Sequence, residues 1–237
     1  MKTSSCWGTP PTRLYRFIDF LSTQKNDATV CVVGCSDGKF VFPFLRKGFN
    51  VTAIDFDKVA LYGGKKLKPI NRGNITKIEY HHVDTSPEYI KLPTEEIVIN
   101  GLKNRAEIEK LNNNLRILET DFYAYPPQES FDVLFTSCSL QYKSNRVIPI
   151  ENIMDTLKSH VNVNGYLYMD YMMPLEDTHA WKSEHFFRTG QIKNWFSEGW
   201  KIIYIREMKK PIFEAAHVDR PEDHFHRFGY ILAKKEK

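Results

Sequence analysis

Residues 28–38, Ala-Thr-Val-Cys-Val-Val-Gly-Cys-Ser-Asp-Gly, contain the pattern that decides the fold of this chain. The apolar run stops at Gly34, and an apolar-periodic segment begins at Phe40, which predicts a buried strand, a tight glycine turn and a helix. A second apolar run, residues 51–54, ends in Asp55. Glycines let a backbone approach a nucleoside closely, and a carboxylate after the next strand can bind both ribose hydroxyls. These features predict a nucleoside-cofactor site, although a plain turn with Asp55 as a strand-end cap would also explain them.

The spacing of the turn favours a mononucleoside over a dinucleotide. Dinucleotide sites usually carry G-x-G-x-x-G, in which the third glycine lets helix and strand pack closely beside a pyrophosphate. This chain has Gly34-x-Ser36-x-Gly38 followed by Lys39. A dinucleotide-dependent oxidoreductase nevertheless stays the alternative, because it shares the glycine turn and Asp55.

Three further segments continue the pattern in order. Residues 115–122 predict a third strand that ends in an acidic and an aromatic residue. Residues 131–142 predict a fourth strand with the loop beyond it, and residues 165–171 predict a fifth strand after a glycine turn. Together with the glycine turn, these motifs resemble class I S-adenosylmethionine-dependent methyltransferases over most of residues 29–172.

The resemblance implies an α/β fold with a doubly wound, seven-stranded, mostly parallel Rossmann-like sheet and an antiparallel C-terminal strand. It also implies an N-terminal lid helix and an insertion after the second strand. We expect one methyltransferase domain over residues 1–237, with residues 1–27 as the lid segment and the insertion within residues 57–113.

S-adenosylmethionine is the cofactor that this resemblance implies. The glycine turn would line its methionine part, Asp55 would bind the ribose, and the acidic and aromatic pair would frame the adenine. The residues expected to bind the cofactor are Gly34, Cys35, Ser36, Gly38, Asp55, Phe56, Asp121, Phe122 and Ser137.

The two ends of the chain narrow the resemblance. Residues 184–207 and the segment from Phe213 to the C-terminus are similar to the tellurite-resistance and thiopurine methyltransferase group. Trp7 is similar to the aromatic N-terminal lid of that group. Residues 219–224, Asp-Arg-Pro-Glu-Asp-His, differ from the ending of either branch, so the resemblance does not assign a substrate.

Methyl transfer by in-line displacement requires an aligned nucleophile in a dry pocket. A thiolate needs little help from a base, whereas an amine or a phenol must lose a proton. Candidate acid–base groups are His185, His224 and Asp170. Candidate substrate-binding residues are Trp7, Tyr15, Tyr142, Tyr171, Trp181 and His226. Each of these residues has an ordinary structural explanation as well, as a core aromatic or a hydrogen-bonded edge group.

Composition limits the class of protein. The 237-residue chain has a net charge of +4, no apolar run near the ~20 residues of a membrane helix, and four cysteines. The cysteines are predicted to be reduced structural thiols of a cytoplasmic protein. The His224-x-His226 pair has no third ligand in view, so we expect no metal.

The same features describe the expected partners. No nucleic-acid recognition motif occurs, which makes nucleic acid an unlikely substrate. We expect a small-molecule or short-peptide acceptor, no membrane association, and a monomer or homodimer. Two variants stay open within the fold. One is a protein that binds the cofactor without catalysis, and the other uses carboxylated S-adenosylmethionine, for which Arg146 or Arg188 would have to pair with the extra carboxylate.

Overall fold

The structure is a computed structural model, and it describes residues 2–69, 94–140, 145–175, 185–214 and 224–237. The helices are α1 (Thr12–Gln24), α2 (Val41–Arg46), α3 (Lys58–Tyr62), α4 (Leu102–Glu109) and α5 (Ile150–Ser159). The strands are β1 (Thr29–Val33), β2 (Asn50–Asp55), β3 (Gly64–Pro69), β4 (Thr94–Ile99), β5 (Leu115–Glu119), β6 (Phe131–Ser137), β7 (Val161–Met173), β8 (Trp200–Glu207), β9 (Ile212–Glu214) and β10 (His224–Lys235). Short 3-10 turns occupy Asn112–Asn114, Asn145–Val147 and Gln191–Phe196.

One large sheet organises the fold, with strand order β5-β2-β1-β6-β7-β10-β8 and β9 paired to β10. The strands from β5 to β7 are parallel, whereas β10 runs antiparallel to both β7 and β8. This architecture confirms the predicted mostly parallel sheet with an antiparallel C-terminal strand. The strand order reverses between β1 and β6, and ligands of open α/β sheets bind at such a reversal, beyond the carboxyl ends of the strands.

The parallel strands are apolar on both faces because helices cover both faces. Along β1, the side chains of residues 30–33 are at most 2% exposed. Even-numbered Val30 and Val32 join one core cluster, and odd-numbered Cys31 and Val33 join the other. Helix α1 packs on the first face, where Phe17 contacts aromatic rings of α2 and β7 edge-on.

Residues after β2 form a short helix and a small separate sheet in the region where an insertion is predicted. Helix α3 begins after Asp57, whose Oδ1 accepts hydrogen bonds from the amides of Val59 and Ala60 as an N-cap. Strands β3 and β4 then pair antiparallel in a separate two-stranded sheet. Residues 70–93, between these two strands in the sequence, lie outside the described residues.

Close packing of β10 on β7 depends on Gly229. A Cβ atom at this position would lie 2.1 Å from Cζ of Tyr171, so only glycine leaves room for that ring. The Tyr171 hydroxyl donates a hydrogen bond to Oε1 of Glu207 on β8 (2.9 Å), and the ring packs against Phe187. Tyr171 therefore joins three strands on the sheet face opposite α1.

No helix within the described ranges is long and apolar enough to cross a membrane.

Candidate functional site

The register of the main sheet aligns polar residues at its carboxyl edge. Asp170 on β7 pairs with Ser137 on β6 and with Tyr230 on β10, and Tyr230 pairs in turn with Arg206 on β8. Asp55 ends β2 at the same level, because the last pairs of β1 join Val33 to the residues before Asp55 and Ser137. We call Asp55, Ser137, Asp170, Tyr230 and Arg206 the carboxyl-edge row.

The glycine turn closes over the end of β2. Gly34, Ser36 and Gly38 all have positive φ (67°, 47° and 91°), which a residue with a side chain such as Ser36 adopts only rarely. The amides of Gly34 and Cys35 donate hydrogen bonds to the Ile54 carbonyl oxygen at 2.9 and 3.1 Å. Gly34 is exposed, whereas the Cys35 side chain is buried, which raises its pKa well above the ordinary value. Only the backbone of Cys35 therefore faces the site.

Gly38 has a packing role. A Cβ atom there would lie 2.6 Å from a methyl carbon of Leu102 and 2.9 Å from the ring of Phe42. Position 38 therefore requires glycine, because side chains of α2 and α4 pack directly against it. Contact between the Gly38 backbone and the cofactor stays a prediction.

Asp55 has the contacts expected of a ribose-binding carboxylate. Its Oδ2 accepts a hydrogen bond from the amide of Ser36 (2.7 Å), and Oδ1 accepts one from the amide of Asp57 (2.9 Å). The lone pairs that these amides leave free can accept hydrogen bonds from hydroxyl donors. Burial raises the pKa of Asp55 above its usual value against the lowering effect of the amides. The acceptor oxygens of Asp55 therefore fit a cofactor with a ribose diol, and the half-exposed ring of neighbouring Phe56 is available to a base.

The two residues predicted to frame the adenine, Asp121 and Phe122, differ in exposure. Asp121 is half-buried, and its Oδ1 accepts hydrogen bonds from the amides of Tyr123 and Ala124 that shape the loop after β5. Phe122 is only 3% exposed, and its ring packs edge-on against Tyr123 and His160. Core packing accounts for Phe122, and adenine contact at this pair stays a prediction.

The N-terminal segment lies on the glycine turn. Trp7 donates a hydrogen bond from Nε1 to Oγ of Ser36 (2.8 Å). Ser5 donates from Oγ to Oδ1 of Asp37 (2.5 Å), and the amide of Cys6 donates to Oδ2 of the same carboxylate (2.8 Å). Trp7, a sequence candidate for the substrate wall, is thus held beside the predicted cofactor turn. The sequence analysis did not identify Asp37, because an aspartate within a glycine turn is an ordinary turn residue.

Asp37 is itself held by a buried arginine. Arg105 on α4 donates from Nη1 to the Asp37 carbonyl oxygen and lies 3.3 Å from its Oδ2, and both residues are 2% exposed. Its guanidinium also lies 4.3 Å from the ring centroid of Phe42. Burial lowers the pKa of Arg105, and the charge of Asp37 opposes that shift. No periodicity in the sequence marks this pair.

A second anchor for the N-terminal segment is Glu109. Its Oε1 accepts hydrogen bonds from the amide (2.7 Å) and Oγ1 (2.6 Å) of Thr3, and Arg46 donates to both carboxylate oxygens. Burial alone would raise the pKa of Glu109, but the hydrogen bonds from Arg46 and Thr3 outweigh it and lower the pKa to about 2.

This depressed pKa predicts an acid-labile contribution to stability. Because the folded pKa lies below the unfolded value, the contribution is complete above about pH 4.5 and is lost as the pH falls towards 2. We expect Glu109→Gln to lower the free energy of unfolding at pH 7 by about 1.5–3 kcal/mol, with the difference from wild type shrinking steadily below pH 4.5. Chemical denaturation at several pH values measures it.

Glu107→Gln is the matched control, because Glu107 is exposed on the same helix. It should follow the wild-type curve at every pH. A Glu109→Gln difference that stays constant from pH 7 to pH 2 would contradict the assignment.

Asp170 is the most buried carboxylate of the carboxyl-edge row, at 5% exposure. Its Oδ2 accepts hydrogen bonds from Nη2 of Arg13 (2.9 Å) and from Oγ of Ser137 (3.1 Å). Burial raises the pKa of Asp170 against the lowering effect of Arg13 and Ser137. The structure therefore joins a predicted catalytic candidate to a predicted cofactor-binding serine. Arg13 and Tyr230, which complete this cluster, were missed because nothing in their local sequence marks them.

The other sequence candidates are placed differently. His185 is 2% exposed, and its Nε2 makes a hydrogen bond with the Ile148 carbonyl oxygen (2.9 Å). Tyr171 is fully buried on the face opposite Asp170, since successive strand residues alternate. Neither ring is brought to the carboxyl-edge row, so packing and hydrogen bonding account for both. Tyr15 is 42% exposed on α1.

The remaining candidates lie at the start of β10 or in undescribed parts of the chain. His226 is half-buried on β10, opposite Ile212 of β9, and its ring lies 5.3 Å from that of Phe228. The backbone of His224 belongs to β10, but its side chain is outside the description. Tyr142 and Trp181 also lie outside the described residues.

Neither a protein-family model nor a curated protein sequence matches this chain. TehB from Haemophilus influenzae shares its fold with a TM-score of 0.60 at 16% identity, over 93% of this chain and 62% of the TehB chain. The magnesium protoporphyrin IX methyltransferase ChlM from Synechocystis PCC 6803, with bound SAM, gives 0.55 at 12% identity, over 94% and 78%. The N-methyltransferase NodS from Bradyrhizobium japonicum WM9 gives 0.54 at 10% identity, over 95% and 96%.

These similarities confirm the predicted fold, which is that of S-adenosylmethionine-dependent methyltransferases. The cyanobacterial enzyme has been solved with SAM and with SAH, the methylated and demethylated forms of this cofactor, in the same fold. The chain spans less than two thirds of the TehB chain.

Proposed function

We propose that this protein transfers a methyl group from S-adenosylmethionine to a small-molecule or short-peptide acceptor. The observation that carries the proposal is Asp55. Its carboxylate lies at the end of β2, beside the point where the strand order reverses, and it is oriented by the amide of Ser36 in the glycine turn and by the amide of Asp57. A half-buried carboxylate with spare lone pairs, next to an exposed glycine of positive φ, offers the hydrogen-bond acceptor and the close backbone approach that a ribose requires.

The chain's own residues would divide the binding work. Gly34 and Ser36 would lie against the methionine part, Asp55 would accept hydrogen bonds from the ribose hydroxyls, and Phe56 would stack beside the base. Trp7, held on Ser36, would cover this site and exclude water. The bound cofactor would supply an activated methyl group on a sulfonium.

Names of structural neighbours support the class of acceptor. They include an N-methyltransferase and a glycopeptide N-methyltransferase, alongside the enzyme for magnesium protoporphyrin IX. We further propose a cytoplasmic location, because Cys6, Cys31, Cys35 and Cys138 are all free thiols.

Calorimetric titration of the purified protein with S-adenosylhomocysteine tests the cofactor. We expect one site per chain with a dissociation constant in the micromolar range, ~8 kcal/mol of binding free energy. NADH and NAD⁺ serve as comparison ligands, since a dinucleotide enzyme shares the glycine turn. Binding of either nicotinamide nucleotide in place of S-adenosylhomocysteine would overturn the proposal.

A further inference from the structure

The ion pair between Arg13 and Asp170 leaves one donor and one acceptor without partners. The ion pair joins Nη2 of Arg13 to Oδ2 of Asp170 at 2.9 Å. Arg13 Nε and Asp170 Oδ1 are buried, and neither has a hydrogen-bond partner among the residues that the structure describes. Nε is two bonds from Nη2, and Oδ1 is two bonds from Oδ2, so both unpartnered atoms lie beside the same contact. Leaving such groups unsatisfied costs about 1–3 kcal/mol each, so their presence calls for an explanation.

Neighbouring contacts hold both side chains in place. Arg13 lies with its guanidinium carbon 3.6 Å from the ring centroid of Tyr230, a cation–π distance. Ser137 donates a hydrogen bond to Oδ2 of Asp170 at 3.1 Å, so this oxygen already accepts from both Arg13 and Ser137. Oδ1 is consequently the oxygen of Asp170 that lacks a hydrogen-bond partner.

An aromatic row leads to this ion pair. His226, Phe228 and Tyr230 alternate along β10 and therefore share one face of the strand. The ring centroid of Phe228 lies 5.3 Å from that of His226 and 6.5 Å from that of Tyr230. All three side chains are half-buried. A flat apolar molecule can pack along such a row with its polar end at Asp170.

The surrounding charge selects the kind of polar group. The positive charges of Arg13 and Lys39 both act on the Asp170 carboxylate. A cationic ammonium group would be repelled there and has no lone pair for Arg13 Nε. The single lone pair of a neutral arylamine is delocalised into its ring, so it accepts a hydrogen bond only weakly. A hydroxyl group is both a donor and an acceptor, and an oxyanion formed from it would be stabilised by the cations.

We propose that Arg13 and Asp170 form the subsite for the methyl acceptor, and that this acceptor is the hydroxyl of a phenol whose ring lies along the aromatic row. The inference rests on the methyltransferase function proposed above and names its substrate class. The hydroxyl donates its hydrogen to Asp170 Oδ1 and accepts a hydrogen bond from Arg13 Nε.

The proton balance of the reaction is simple. The phenol O–H bond breaks, and its proton passes to Asp170 Oδ1. The phenol oxygen then forms the bond to the methyl carbon while the carbon–sulfur electron pair stays on sulfur. The products are a methyl ether and S-adenosylhomocysteine, and Asp170 later releases the proton to water. The raised pKa of Asp170 makes it a better proton acceptor than an exposed aspartate.

Three probes of equal shape test the subsite by calorimetry on the protein saturated with S-adenosylhomocysteine: 4-ethylphenol, 4-ethylaniline and ethylbenzene. We expect 4-ethylphenol to bind at least about tenfold more tightly than either of the others, as one satisfied pair of hydrogen bonds requires. With S-adenosylmethionine, mass spectrometry should detect the methyl ether of 4-ethylphenol. In the Asp170→Asn variant, the preference for the phenol and the formation of the ether should both be lost.

Asp132→Asn is the matched control, because Asp132 is ion-paired to Lys25 at the start of β6, far from the carboxyl edge. It should keep the preference for the phenol. Arg13→Lys keeps the charge but removes the Nε donor, so it should also lose the preference, and thermal melts with S-adenosylhomocysteine show whether each variant is folded.

The outcomes separate the two proposals. If S-adenosylhomocysteine binds but the phenol binds no better than ethylbenzene or 4-ethylaniline, the phenol inference is wrong and the cofactor proposal stands. That result is also expected if one trapped water satisfies both buried atoms. Equal phenol binding by Asp170→Asn would likewise overturn the inference. Failure of S-adenosylhomocysteine itself to bind would instead overturn the proposed function.

Discussion

Replacement of Asp55 by alanine is expected to weaken S-adenosylhomocysteine binding by about 100-fold or more. The carboxylate would accept hydrogen bonds from two ribose hydroxyls, and hydrogen bonds to a charged group contribute about 1.5–3 kcal/mol each. The variant also leaves the amides of Ser36 and Asp57 without their present acceptor, which loosens the glycine turn. Calorimetric titration of wild type and variant measures the change directly.

Two neighbouring substitutions make this test specific. Asp55→Asn keeps the shape and one acceptor oxygen, so its loss of affinity should lie between those of wild type and Asp55→Ala. Asp57→Asn keeps the N-cap of α3 and removes only the charge that pairs with Lys66. It should bind as wild type does. Unchanged affinity in Asp55→Ala would remove Asp55 from the site.

Replacement of Arg105 by methionine is expected to lower the free energy of unfolding by about 3–5 kcal/mol. Arg105 and Asp37 are both 2% exposed, and removal of one member of a buried pair leaves the other charge in a medium that solvates it poorly. The Asp37 carbonyl oxygen and Oγ1 of Thr3 lose their contacts with the guanidinium as well. Urea denaturation followed by circular dichroism gives the value.

Lys47→Met is the control for this prediction. Lys47 pairs with Asp19 on the surface, where both side chains are well exposed, and such pairs contribute only about 0–1 kcal/mol. Methionine replaces a long cationic side chain in both variants, so the difference between them isolates burial. A loss of less than ~1 kcal/mol in Arg105→Met would show that Asp37 is stabilised without Arg105.

The Arg105 variant should also affect the candidate site. Asp37 holds Ser5 and the amide of Cys6, which places Trp7 on Ser36. Movement of Asp37 would release this segment from the glycine turn. Stability and cofactor affinity are thus expected to fall together in Arg105→Met, whereas Asp55→Ala should mainly reduce affinity.

The amino-acid sequence determined the parts of this protein whose signals are local. The apolar run before Gly34 and the one before Asp55 are each bounded by turn residues, and both are buried parallel strands in the structure. The antiparallel C-terminal strands could be predicted for the same reason, because short apolar segments with strand-forming residues have few alternatives. Asp55 could be placed at the end of β2 because strand and turn are adjacent along the chain.

Tertiary structure alone decided which residues meet at the carboxyl edge. Arg13 and Asp170 are 157 residues apart, and Arg105 and Asp37 are 68 apart, so neither pair has a periodicity or spacing that could predict it. The environment of an aromatic side chain also depends on distant residues. Tyr171 lies on the sheet face opposite Asp170 because successive strand residues alternate. Its ring fits there because Gly229, on another strand, leaves room for it. A local pattern can specify a strand and its end, but strand register and helix docking decide which side chains share a site, because these depend on packing between distant parts of the chain.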